Sequence, residues 1–310
     1  MKKITSITLL LLLVMMFGGC SSKDAKDNAA PGIKVLTTVY PVYEFARLVG
    51  GDKVSVEMLL PPGAEPHDWE PTAKDLAKLK AAKIFLYHGA GLEPTDKLLT
   101  KDVLGETKAV EVSSGLSRLT KEHADENAAG HNHSSDAAED PHLWLDPANA
   151  KLEVKTIAAA LAAVDPANAT YYQQRAEQYN AELTKLDEEY RNTLAKTARK
   201  ELVTTHSAFA YLAKEYGLTQ VGIMGLSPEA EPTMEKLREV AAFCRAHQVK
   251  VIFFESQANP KVAATIAKET GAQAVQLNPL ESLTESEMKE GKNYLSVMRD
   301  NLSKLHNALQ

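Results

Sequence analysis

Residues 165–198 read DPANATYYQQRAEQYNAELTKLDEEYRNTLAKTA, and this stretch decides the architecture. Asp165 suits a helix N-cap, and Pro166 suits the first helical position, where an N–H would have no partner. No glycine and no second proline interrupts the run to Ala198. It therefore predicts a helix of about 30 residues, some 45 Å long at ~1.5 Å per residue. Tyr172, Ala176, Tyr179, Leu183, Leu186 and Tyr190 recur at spacings of three and four, which places one apolar stripe along a single face. A surface helix would show such a stripe too. Its length, against a usual ~11 to 12 residues, argues instead for a spine that spans two parts of the molecule.

Outward from that spine, both flanks repeat one grammar. Before it, Lys34–Val39, Val54–Leu60, Ile84–Tyr87 and Ala109–Val112 read as strands, and Val42–Val49 and Thr72–Lys80 as helices. After it, Glu201–Thr205, Leu218–Met224, Val249–Phe254 and Ala274–Leu277 read as strands, with helices at Pro232–His247 and Pro260–Thr270. Alternation of this kind predicts parallel sheets covered by helices. The fold class is therefore α/β, as two lobes, 33–164 and 199–310, each a mainly parallel sheet, joined by one long rigid helix at 165–198. Asp146-Pro147 opens a further helix, Ala148–Val164.

The chain begins with Lys2 and Lys3, then an apolar or small run from Ile4 to Gly19, then Cys20. That pattern reads as a secretory signal over 1–19, too short and too abruptly followed by polar residues for a spanning helix. Cys20 stands where a lipidated cysteine becomes the new N-terminus, although Phe17 replaces the usual leucine. Residues 20–32 read as a flexible tether to a membrane. Cys244 is the only other cysteine, so no intramolecular disulfide is available once Cys20 is lipidated. Without Lys2 and Lys3 the chain keeps 33 basic and 41 acidic residues, a formal charge of −8. That balance points to no nucleic-acid partner and favours a cationic ligand.

Four candidate metal ligands each follow a predicted strand. His67 lies in Pro61-Pro-Gly-Ala-Glu-Pro-His-Asp-Trp-Glu-Pro71, whose prolines restrict the backbone; His142 lies in Asp140-Pro-His-Leu-Trp-Leu-Asp-Pro147. His206 ends the strand from Glu201, and Glu281 follows the last strand through Asn278-Pro-Leu280. Ligands of open α/β sheets bind beyond the carboxyl ends of strands, so facing lobes would bring these groups into one cleft. A single histidine is more often structural than a ligand. Three imidazoles and a carboxylate together make up a tetrahedral zinc shell. Residues 122–140 have no apolar periodicity and read as a mobile loop, with His123, His131 and His133 as weak auxiliary ligands or as incidental residues of a solvated linker.

On these motifs, with Thr205-His-Ser-Ala-Phe-Ala-Tyr211 and Phe253-Phe-Glu-Ser-Gln257, the sequence resembles the zinc-binding cluster A-I solute-binding lipoproteins of bacterial ABC importers. The resemblance covers essentially the whole mature chain. It implies two α/β lobes with little relative movement and metal between them, held by His67, His142, His206 and, at the family's variable carboxylate-or-water position, Glu281. It further implies capture of zinc as a bound solute, delivery to a permease and its ATPase, and an extracytoplasmic place on the bacterial cell membrane through lipid on Cys20. A monomer without catalytic activity is the expectation.

Several residues keep two readings. Glu255 is the alternative fourth ligand, but is better placed as a group that positions another. Glu65, Asp68 and Asp146 are candidates to accept from a ligand imidazole, or are solvated charges. Trp69 and Trp144 either shield the site or pack the core; His88 reads as a packing residue, and His247 and His306 as surface residues. Manganese-type relatives carry a carboxylate at the His206 position, so the third imidazole favours zinc. A zinc hydrolase would keep an open position beside a base, and no His-Glu-x-x-His pattern is present. A surface adhesin using zinc for stability is the remaining alternative. Imidazole ligands predict that affinity falls with pH near 6.5.

Overall fold

The computed structural model describes residues 32–120, 139–226, 232–255 and 260–310. Cys20, His123, His131 and His133 lie outside the described residues. Strands β1 (Ile33–Thr37), β2 (Val54–Met58), β3 (Ile84–Tyr87) and β4 (Lys108–Glu111) form one parallel sheet in the order β2-β1-β3-β4. Strands β5 (Glu201–Thr204), β6 (Thr219–Gly222), β7 (Val251–Phe254) and β8 (Gln273–Gln276) form a second in the order β6-β5-β7-β8. Both sheets thus share one winding, which the paired strand-helix grammar of the sequence anticipates. Their carboxyl ends carry the loops of interest.

The spine differs from its expectation at one end. A short 3-10 turn occupies Pro166–Asn168, and the α-helix runs Ala169–Leu194, about 39 Å at ~1.5 Å per residue. Asp165 does not cap a backbone N–H. Its Oδ2 accepts instead from Asn168 Nδ2 at 2.7 Å and from the Tyr172 hydroxyl at 2.6 Å. At the other end Lys200 Nζ donates to the Leu194 carbonyl at 2.7 Å and the Thr197 hydroxyl donates to it at 2.8 Å, which satisfies a carbonyl left without a helical donor.

All six stripe residues are buried, and Leu194 extends the stripe. They enter one core with residues of the helices Tyr40–Gly50, Pro147–Val164 and Tyr294–Ala308, and with Leu202 and Phe253 of the second sheet. Each fully buried leucine contributes roughly 1.5–3 kcal/mol, and Leu186→Ala would cost about 2–5 kcal/mol by opening a cavity there. Cys244 belongs to a separate core of the second sheet.

The last helix, Tyr294–Ala308, reaches back to the first half of the chain. Glu44 Oε1 and Oε2 accept from the Tyr294 N–H at 3.0 and 2.9 Å, the Tyr294 and Phe45 rings meet edge-on at 5.0 Å, and the Tyr294 hydroxyl donates to the Trp144 carbonyl at 2.5 Å. Trp144 Nε1 in turn donates to the Pro279 carbonyl at 2.8 Å. Buried, hydrogen-bonded seams of this kind resist sliding, because each opened bond leaves a desolvated polar group. Among the described residues no helix is long and apolar enough to cross a membrane.

Candidate metal centre

His67 hangs from a turn that its own sequence specifies. Ala64 N–H donates to the Pro61 carbonyl at 3.0 Å, with Pro62 and Gly63 at the centre, and Gly63 takes φ +78°, a conformation that disfavours a Cβ. Gly63 N–H donates to Ser282 Oγ at 2.7 Å, which ties this loop to the residue after Glu281. Glu281 itself follows Leu280, a non-glycine at φ +61°. Leu280 N–H donates to Asn278 Oδ1 at 2.7 Å, while Asn301 of the last helix holds Asn278 by two bonds, at 3.0 and 2.7 Å. Backbone strain of about 1–3 kcal/mol is thus held in place beside a polar side chain.

His142 and His206 are fully buried, Glu281 is 1% exposed, and the His67 side chain is 11% exposed. One ligand atom from each of the four lies within 4.8 Å of the others. His67 Nε2 is 3.3 Å from His142 Nε2 and 3.1 Å from Glu281 Oε1, and His142 Nε2 is 2.8 Å from that oxygen. A tetrahedral zinc shell with bonds of ~2.0–2.1 Å has donor–donor edges of about 3.3 Å. Three donors therefore already stand near that spacing. Glu281 Oε2 is buried without a hydrogen-bond partner.

The imidazoles are oriented by carboxylates. Asp140 Oδ1 accepts from His142 Nδ1 at 2.7 Å and from its backbone N–H at 2.9 Å. Because a carboxylate only accepts, the Nδ1 proton is fixed and Nε2 faces the other donors. Glu255 Oε2 accepts from His206 Nδ1 at 2.9 Å, while His206 Nε2 lies 2.8 Å from the Leu226 carbonyl. Both ring nitrogens of His206 thus donate to oxygen.

Charge follows this geometry. Burial alone would depress His142, but Asp140 and Glu281 outweigh it and the imidazolium is pushed up to about 10. Burial is likewise outweighed at His206, chiefly by Glu255, and its pKa is raised. At His67 burial dominates and the pKa is lowered. Burial would raise Glu281, yet bonds from His142 and His67 hold it well below the usual carboxylate range. Glu65, whose Oε1 accepts from the His67 N–H at 3.1 Å, is pushed up to about 8 by burial and by the Glu281 charge.

The other expected residues separate cleanly. Asp146 caps helix Pro147–Val164 by accepting from Ala148 N–H at 2.8 Å and orients no imidazole, while Asp68 is exposed. Trp144 is fully buried, and its ring meets His142 at 5.4 Å and His88 at 4.7 Å, so packing and shielding coincide. His88 is fully buried behind it, 3.8 Å from Glu153, and burial pushes its pKa down to about 3. His247 is a surface residue stacked on Phe243. Asp140 stands in the sequence both at the end of a polar run and at the head of the His142 motif, and it was given no role there. The Asp-Pro-His spacing, which lets the carboxylate fold back on the imidazole, was its signal.

Residues 35–308 match the family described as "Zinc-uptake complex component A periplasmic". The chain is 41% identical over 300 residues to the high-affinity zinc uptake system protein ZnuA of Bacillus subtilis, covering 96% of this chain and 94% of that one. It is 38% identical over 309 residues to the zinc-binding lipoprotein AdcA of Streptococcus pneumoniae, covering 98% of this chain but 60% of that longer protein. The crystal structure of the Zn(II)-bound ZnuA-like domain of that AdcA superposes with a TM-score of 0.76 at 38% identity, over 90% of this chain and 99% of the domain.

Proposed function

The chain belongs to the periplasmic zinc-uptake complex component A family, and from that premise we propose that His67, His142, His206 and Glu281 capture one zinc ion for delivery to an ABC import permease. It is a solute-binding protein of zinc uptake and not an enzyme, and it works outside the cytoplasm. One observation carries the reading of the site: four donors from four separate loops converge within 4.8 Å, three of them imidazole nitrogens. That donor set suits zinc better than manganese, for which oxygen ligands are preferred.

Binding in this reading is an exchange. Asp140 and Glu255 keep the Nδ1 protons of His142 and His206, so the Nε2 atoms are the ones that lose any proton to solvent and offer a lone pair to the ion. Glu281 supplies the fourth donor and a compensating negative charge. His206 Nε2 leaves the Leu226 carbonyl to close the shell. The cargo is then released to a permease and its ATPase, with the chain acting as a monomer held near them by lipid on Cys20.

Competition titration against a zinc chelator tests the assignment on the mature protein. One zinc per chain is expected, with His67→Ala, His142→Ala and His206→Ala each weakening it by on the order of 100-fold or more, since an incomplete shell remains. Glu281→Ala costs less, because water can replace an oxygen donor. Wild-type affinity in the three histidine variants would remove the site, and a loss confined to Glu255→Ala would transfer the fourth position to Glu255.

A further inference from the structure

Tyr211 stands five residues beyond His206, in helix Ala210–Tyr216. Its ring is buried in a small apolar cluster with Ala90, Leu119, Leu143 and Ala210, separate from the main core. This cluster joins the residue after His142 to the helix after His206. The Tyr211 hydroxyl accepts from the Leu119 N–H at 2.8 Å and donates to the Asp140 carbonyl at 2.9 Å. Leu119 and Asp140 also bond directly, Asp140 N–H donating to the Leu119 carbonyl at 2.8 Å, and Thr120 and Glu139 form an antiparallel bridge beside them. The phenol thereby uses both its donor and an acceptor position on one rung of that pair.

We propose that Tyr211 is a positioning residue of the zinc site: its hydroxyl fixes Asp140, and through Asp140 the His142 imidazole, in register with His206. The inference rests on the reading that His142 and His206 are ligands. Sequence places Tyr211 five residues beyond His206, and its hydroxyl bonds to the backbone of Asp140, the residue whose carboxylate sets the His142 ring. Movement of the Asp140 backbone would turn that ring, because Oδ1 takes both the N–H and the Nδ1–H of His142. A displaced imidazole holds metal less well even when all four donors remain.

Tyr211→Phe keeps the buried ring and removes the hydroxyl alone. Zinc affinity and dissociation rate are measured by chelator competition for the wild type, Tyr211→Phe, Asp140→Ala and the double variant, with thermal midpoints of the metal-free proteins. Tyr211→Phe is expected to weaken zinc by about 3- to 10-fold through faster release, and the double variant to be no worse than Asp140→Ala, since both act on His142. The ¹⁵N shift of His142 Nδ1 should move in Tyr211→Phe, which a general loss of stability would not produce. Unchanged release and shift in Tyr211→Phe, or effects that multiply in the double variant, would overturn the proposal. His142→Ala is run in parallel: if it binds like wild type the zinc site itself is misassigned, whereas its failure beside a normal Tyr211→Phe removes only the role of Tyr211.

Discussion

His142 and His206 are both buried imidazoles held at Nδ1 by a carboxylate, yet they stand differently. His142 comes from a short rigid segment between Pro141 and the turn Leu143–Leu145, and its Nε2 already meets Glu281 and His67. His206 comes from the end of β5, and its Nε2 is engaged by the Leu226 carbonyl. One side of the site is arranged before metal arrives. The other must exchange a carbonyl for the ion, so closing the shell is expected to turn on His206, while the His142 side is set in advance.

The largest expected effect is on pH dependence, because both imidazoles titrate in the same direction. His142, pushed up to about 10, holds a proton at neutral pH in the metal-free protein, and His206 is shifted in the same direction. Zinc must displace the His142 proton, and His206 titrates with the same sign, so affinity falls as pH falls and levels off only as pH approaches the raised value, about 10 for His142. Calorimetry at pH 7 in buffers of differing ionisation enthalpy should therefore count at least one proton released per zinc, and affinity should change by about 10-fold per pH unit or more. Release of none would show that the carboxylates do not charge these rings.

That result also marks what sequence could not supply. Imidazole ligands alone placed the fall near 6.5, because charge coupling to Asp140, Glu255 and Glu281 depends on distances between distant loops. The spine and the strands were legible because burial imposes periods of 3.6 and 2 on the chain. The spine's first turn was not, since Asp165 turned to the Tyr172 hydroxyl, a contact with no periodic signature. All four candidate donors were legible as residues of segments that follow strands, and the structure brings them together. Asp140 was hidden by its acidic neighbours, because composition reports polarity and not burial. Asp146 was open to two readings, and the helix opening at Asp146-Pro147 is the one that the structure shows.

A smaller effect separates the two orienting carboxylates. Asp140→Ala should lower zinc affinity toward the upper part of the ~10- to 100-fold range of such partners, and Glu255→Ala toward the lower part. His206 must reorient in either case, whereas His142 loses an arrangement already made. Chelator competition on the two variants checks the order, and a reversed order would place the prearranged side around His206.

The smallest effect is expected from the segment beyond the site. Thr120 and Glu139 are bridged, so replacing 122–138 with two glycines leaves a three-residue hairpin and should change tight zinc affinity by less than about 2-fold. Any weak additional zinc equivalents carried by His123, His131 and His133 should disappear. Stoichiometry of the intact and shortened proteins, titrated together, decides this, and loss of the tight site would place a primary ligand within 122–138.

Crystals of the zinc-loaded protein, measured on both sides of the zinc absorption edge, bear most directly on the four-donor site. One anomalous peak is predicted, at ~2.0–2.2 Å from His67, His142 and His206 Nε2 and from a Glu281 oxygen, with His206 turned away from the Leu226 carbonyl. A peak lacking His206, or one centred on other residues, would contradict it.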